Sequence, residues 1–157
     1  MKDRFLTLFC LLMLAAVLGR AARLHAADPS LESGAEAFQR GAVEEAAARW
    51  ANAEQAYAQK GESANRITAL IHLARAQSEQ GQYRQAAVSL SNALQLARTR
   101  GDQRSLAAVN AALGNVYIVL GPPETAEQYL RNALGIAREL QEPARKVAPW
   151  RSRFGHS

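Results

Sequence analysis

The hydrophobic positions of this chain return every forty residues. Ala46, Trp50, Ala53 and Tyr57 form a four-three-four series; Ala86, Leu90, Ala93 and Ala97 repeat it, and Ala126, Leu130, Ala133 and Ala137 repeat it again. That step keeps one face of an α-helix apolar and turned inward. Ahead of each series lies a second helical pattern, seen in Ile67, Leu70, Ile71, Leu73, Ala74 and Gln77. Small residues keep the same register: Gly34, Ala74 and Gly114 form one column, Gly41, Gly81 and Gly121 another. Asn52, Asn92 and Asn132 form a third. A fixed period of this length marks stacked supersecondary units. Each unit is predicted to be helix, turn, helix.

The turn residues agree. Gly41, Gly81 and Gly121 stand where each first helix must stop, and glycine enters the left-handed conformation without a Cβ penalty. Pro122 and Pro123 suit the start of the next helix, where a missing amide leaves no bond unmade. Gly61 and Gly101 separate the units, with Ser63 and Asp102 as expected N-caps. The repeat region then covers residues 27–142, in units of about 28–61, 62–101 and 102–142. Ser30 and Ser33 make the opening helix polar and short, as an end-capping unit should be.

After residue 142 the helical period stops. Residues 143–157 hold two prolines and four basic side chains, so the third helix pair has no covering neighbour in the sequence. Its apolar outer edge is expected to be exposed, which makes end-to-end self-association through the third repeat an expectation as well. Three readings of this tail compete: a disordered basic end, a truncated or frame-shifted product whose repeats would continue, or a basic-aromatic tail that docks Trp150 and Phe154 on an anionic membrane or a partner.

At the other end, residues 1–4 are charged and residues 5–19 are uninterruptedly apolar. Fifteen residues fall short of the roughly 20 a membrane-spanning helix needs. A charged start, a short apolar stretch and small residues at Ala26 and Ala27 read as a secretory signal peptide at 1–26, cleaved after Ala26, which places the mature chain in the periplasm or outside the cell. The alternative is an uncleaved anchor, since Arg20 and Arg23 are unusual before a cleavage site; only then is a membrane involved. Cleavage would remove Cys10, the only cysteine, and with it disulfide or thiol chemistry.

Charge follows the same division. The whole chain is +5, yet residues 27–142 carry eleven basic against thirteen acidic side chains. The positive excess belongs to the ends, which gives a nucleic-acid partner little support. Catalytic sets are equally absent from the pattern. His25, His72 and His156 have no metal-ligand spacing, and the glycines fall at helix ends and packing columns instead of a phosphate loop. Glu44 and Glu45 fall in a helical first turn, where carboxylates favour the positive end of the dipole. No enzyme activity, cofactor or metal is expected.

Leu113-Gly114 with Tyr117, then Gly121, Ala126, Leu130 and Ala133, resemble the tetratricopeptide repeat (TPR); the middle unit carries Leu73-Ala74, Gly81, Tyr83, Ala86, Leu90 and Ala93 at the same offsets. The period is longer than the family's usual length of about 34 residues, and looks like the long-helix variety found in adaptor proteins and, in bacteria, ahead of caspase-like CHAT domains. The resemblance implies an all-α fold, an α-solenoid of three TPR-like helix-turn-helix repeats wound as a right-handed superhelix. It implies a non-catalytic scaffold that binds a partner peptide or helix in a groove of first helices. The groove offsets fall on Thr68, Ile71, Arg75, Ser78 and Glu79 in the second unit, and on Ala108, Ala111, Asn115, Ile118 and Val119 in the third. Where some members clamp a C-terminal carboxylate with Lys and Asn, this chain has Ile71, His72, Ala111 and Ala112, which argues against recognition of that kind. Two alternatives remain open: the regulatory front of a larger TPR-CHAT enzyme, cut short, and a membrane-anchored assembly factor.

Overall fold

In the computed structural model, which describes residues 28–141, six α-helices follow one another and no strand occurs among those residues. They are α1 Pro29–Gln39, α2 Val43–Lys60, α3 Ser63–Glu79, α4 Tyr83–Arg100, α5 Gln103–Leu120 and α6 Pro123–Gln141. Each helix packs on its successor, and α3 also touches α5. This is an α-solenoid of helical repeats. The expected leader at 1–26 and tail at 143–157 lie outside the described residues.

The turns are made by backbone hydrogen bonding. Gly41, Gly61, Gly81 and Gly101 all take positive φ, between 65° and 78°. In each case the following residue donates its amide five positions back: Ala42 to Ala37, Glu62 to Tyr57, Gln82 to Gln77 and Asp102 to Ala97. These bonds satisfy carbonyls that the end of a helix would otherwise leave unpaired. Gly121 departs from the expected left-handed stop, with φ −136° and ψ −170°. Pro122 follows it and has no N–H to donate back, and a residue before proline is held to extended backbone. The third unit therefore turns on its prolines, and Pro123 starts α6.

Helix starts bring a second correction. Ser63 lies inside the first turn of α3, and Glu62 holds the cap position without a side-chain capping bond. Asp102 caps α5 as expected, accepting from the Ser105 amide at 3.1 Å. That bond, with one from the Ser105 hydroxyl, holds the Asp102 carboxyl below its ordinary pKa. Asp28 caps α1 in the same manner, accepting from the Ser30 amide at 2.9 Å.

The inward series of α2 and α4 are buried throughout, and Trp50, Tyr57, Leu90 and Leu113 are among the side chains sealed from water. A leucine so placed stabilises the fold by about 1.5–3 kcal/mol relative to an exposed one. On α6 the equivalent series is only half covered: Ala126 and Ala133 are buried, but Leu130 is 37% exposed. Leu134 and Leu140 are exposed beside it. The outer edge of the third pair is open because no described helix packs on it.

Candidate functional site

Helices α3 and α5 touch because they are the first helices of adjacent units, and between them lies a cleft of about 410 Å³. Its apolar surface comes from Ile71, Ala74, Leu90, Ala112 and Val116; Arg75, Ser78, Glu79, Tyr83 and Asn115 supply polar groups. Of the expected groove residues, Ile71, Arg75, Ser78, Glu79 and Asn115 thus meet in one cavity. Asn115 is exposed and Ile71 half-buried, so an incoming chain would find an amide beside a greasy floor. Ser78 is already engaged, donating to the Ala74 carbonyl at 2.9 Å.

The remaining expected residues lie elsewhere. Thr68 donates within its own helix to the Ala64 carbonyl and does not line the cleft. Ala108 and Val119 are exposed and Ala111 is half-buried, all outside the lining. Ile118 belongs to a second hollow of about 590 Å³, shared with Pro123, Ala126, Glu127, Leu130, Arg131 and Leu134. The groove offsets leave out five lining residues, Ala74, Tyr83, Leu90, Ala112 and Val116. Tyr83 had a usable signal: it follows the Gly81 turn directly, so it opens α4 at the mouth of the space between first helices.

Arg75 has a partner that repeat offsets could not reveal. Its guanidinium stands 4.6 Å from the centre of the Phe38 ring, a contact worth about 0.5–1 kcal/mol at an exposed site. Phe38 leans on Trp50 with centroids 5.7 Å apart, and His72 stacks on Trp50 at 5.0 Å. The Trp50 indole N–H donates to the Leu31 carbonyl at 3.2 Å. This run of rings joins α1, α2 and α3 and holds Arg75 at the edge of the cleft. Burial first, then the Arg75 charge, pulls the His72 pKa below its ordinary 6.5, so the ring is mainly neutral at pH 7. A neutral imidazole against the indole face adds no second cation beside Arg75.

Outside the cleft the titratable groups serve structure. Burial, and after it the Asp28 carboxylate, pushes the Tyr57 phenol up to about 12; it stays protonated at the foot of α2. Arg66 of α3 pairs with Glu54 of α2 at 2.7 Å across a helix interface. Among the described residues no three His, Cys, Asp or Glu side chains gather as metal ligands, and no helix is long and apolar enough to cross a membrane.

Six helices stacked in sequence, with four of their five turns closed by left-handed glycines twenty residues apart and a cleft between first helices, form an α-solenoid of TPR-like helical repeats. Residues 55–118, less than half of the chain, match the family model of anaphase-promoting complex subunit 5, and the matched stretch runs from within α2 to within α5. A search of curated proteins finds no match.

Proposed function

We propose that this chain is a non-catalytic interaction scaffold that holds a peptide or helix of a protein partner in the cleft between α3 and α5. The observation that carries this reading is the cleft itself, where an apolar floor of Ile71, Leu90 and Val116 is edged by Asn115, Glu79 and Arg75. A pocket of this size, apolar with a few convergent polar groups, is what peptide recognition requires: the floor supplies affinity, the polar edge fixes register. The matched family model is named for a subunit of a complex, which fits a role in assembly.

Peptides selected from a random library on the full chain test the reading. They should lose affinity about five- to tenfold on Asn115→Ala and more on Ile71→Ser, equivalent to about 1–1.4 kcal/mol for the first. Val88→Ser, on an exposed side chain of α4 outside the cleft, should leave affinity unchanged. Circular dichroism confirms that each variant folds. Selected peptides indifferent to both cleft substitutions would sink the proposal.

The setting we infer is that of an exported bacterial protein of the long-repeat kind. The charged start and the apolar residues 5–19 support export, and the forty-residue period supports kinship with repeats that precede caspase-like CHAT domains. The open edge of α6 favours a second reading, in which these repeats are the regulatory front of a larger enzyme. The intact mass of the natural protein separates the cases. A mass for residues 27–157 is the result expected; a retained Met1 would mean an anchored factor, and a larger product would mean the enzyme.

A further inference from the structure

We propose that the open face formed by α6 and the end of α5 is a second docking site, taking an amphipathic helix from another polypeptide whose apolar side chains are spaced as they are along α5. This surface is separate from the cleft between first helices. Leu90, Leu94 and Ala97 on α4 stand forty residues before Leu130, Leu134 and Ala137 on α6. On α4 the three are 1%, 7% and 0% exposed. They share one core cluster with Val109, Leu113 and Val116 of α5, and Leu106 packs against it. On α6 the two leucines are 37% and 51% exposed. The α4–α5 interface thus continues by one step of the solenoid into a surface with the same apolar groups and no cover among the described residues. Ile118, 64% exposed, widens it into the hollow of about 590 Å³.

The chemistry of the occupant follows from comparing the three second helices. On α2 the position equivalent to Leu134 is Glu54, and the helix that covers it answers with a cation, Arg66. On α4 it is Leu94, covered by the apolar side of α5. Leu134 matches the second case, so the occupant presents apolar groups there. Glu127 and Arg131 at the rim pair with each other at 2.6 Å along α6.

Residues 143–157 do not repeat the α5 pattern in register. The positions of this chain forty residues beyond Leu106, Val109, Leu113 and Val116 are Lys146, Pro149, Arg153 and His156. They are polar or charged apart from a proline, which is unsuited to a helix interior. A second copy offers little better at its opposite end, because α1 exposes Ser30, Glu32 and Glu36.

The test uses the α5 sequence itself, as a capped, fluorescein-labelled peptide of residues 103–120, titrated against the full chain by anisotropy with light scattering in parallel. Saturable binding to a monomeric chain is expected. Leu134→Glu and Ile118→Glu should each weaken it by at least about tenfold, while Val88→Glu on α4 and Asn115→Ala in the cleft leave it unchanged. All four side chains are exposed, and unchanged melting curves verify the fold. The proposal is overturned by absence of binding, by binding that Leu134→Glu does not weaken, or by a dimer of the chain that Leu134→Glu dissociates, since that would assign the face to a second copy.

Discussion

Trp50→Ala is expected to destabilise the chain by about 3–5 kcal/mol, the range for emptying the site of a buried large aromatic side chain. Trp50 is 2% exposed and stands among three helices: Phe38 on one side, His72 on the other, and the Leu31 carbonyl accepting from its indole. Losing it opens a void between α1 and α3 that flanking alanines, Ala46 and Ala76, are too small to fill. In a solenoid each unit buries its face only against the next, so the opening unit should detach. Urea denaturation followed by circular dichroism reads the loss. Since a domain of this size has only about 5–15 kcal/mol in total, Trp50→Phe gives a second reading if the alanine variant does not fold. It keeps much of the ring contact and gives up the bond to Leu31, for about 1–2 kcal/mol. A loss below about 1 kcal/mol for the alanine variant would mean that the ring run does not hold the first two units together.

Gly34→Ala should cost about 1–3 kcal/mol, the typical range for overpacking a close contact, although alanine is the better helix former by about 1 kcal/mol. A Cβ at residue 34 would stand 2.3 Å from the Trp50 indole nitrogen and 2.6 Å from the neighbouring ring carbon. The indole is rigid and pinned between two rings, so α1 itself must move away. Gly114→Ala meets a different neighbour. Its Cβ would come 2.6 Å from Leu130, whose side chain is flexible and partly open to water on the uncovered face. That leucine can rotate, and the gain in helix propensity offsets most of the cost. Thermal melts of the two variants should differ in size, with Gly34→Ala much the lower. Equal losses would show that the small-residue column is a uniform spacer and that the state of the neighbour does not matter.

The repeat was legible because its columns are made of residues with few alternatives. A buried helix seam selects Ala, Leu or Trp at four-three-four spacing, and a left-handed turn selects glycine, so Ala46, Leu90, Gly41 and Gly81 announce their places without any coordinates. The failures have local causes. The glycine column predicts a left-handed stop at Gly121, but Pro122 next to it lacks the amide that the turn needs. Ser63 looked like a cap by residue type, but the glycine turn closes one residue earlier and leaves Glu62 there. The groove was legible in part. Ile71, Arg75, Ser78, Glu79 and Asn115 share a cavity, whereas Thr68 and Val119 lie away from it and Ile118 opens onto a different hollow.

By itself the sequence determined the period, the two helices per period and the buried seam, because these depend on spacing along one chain and on the conformational preferences of single residues. Only the tertiary structure decided that Arg75 lies over Phe38, that His72 is stacked on Trp50 where burial lowers its pKa, and that Leu130 and Leu134 remain open where Leu90 and Leu94 are sealed. Those contacts join residues of different helices, so they depend on how each helix is set against its neighbours, a quantity that no spacing within a single helix contains.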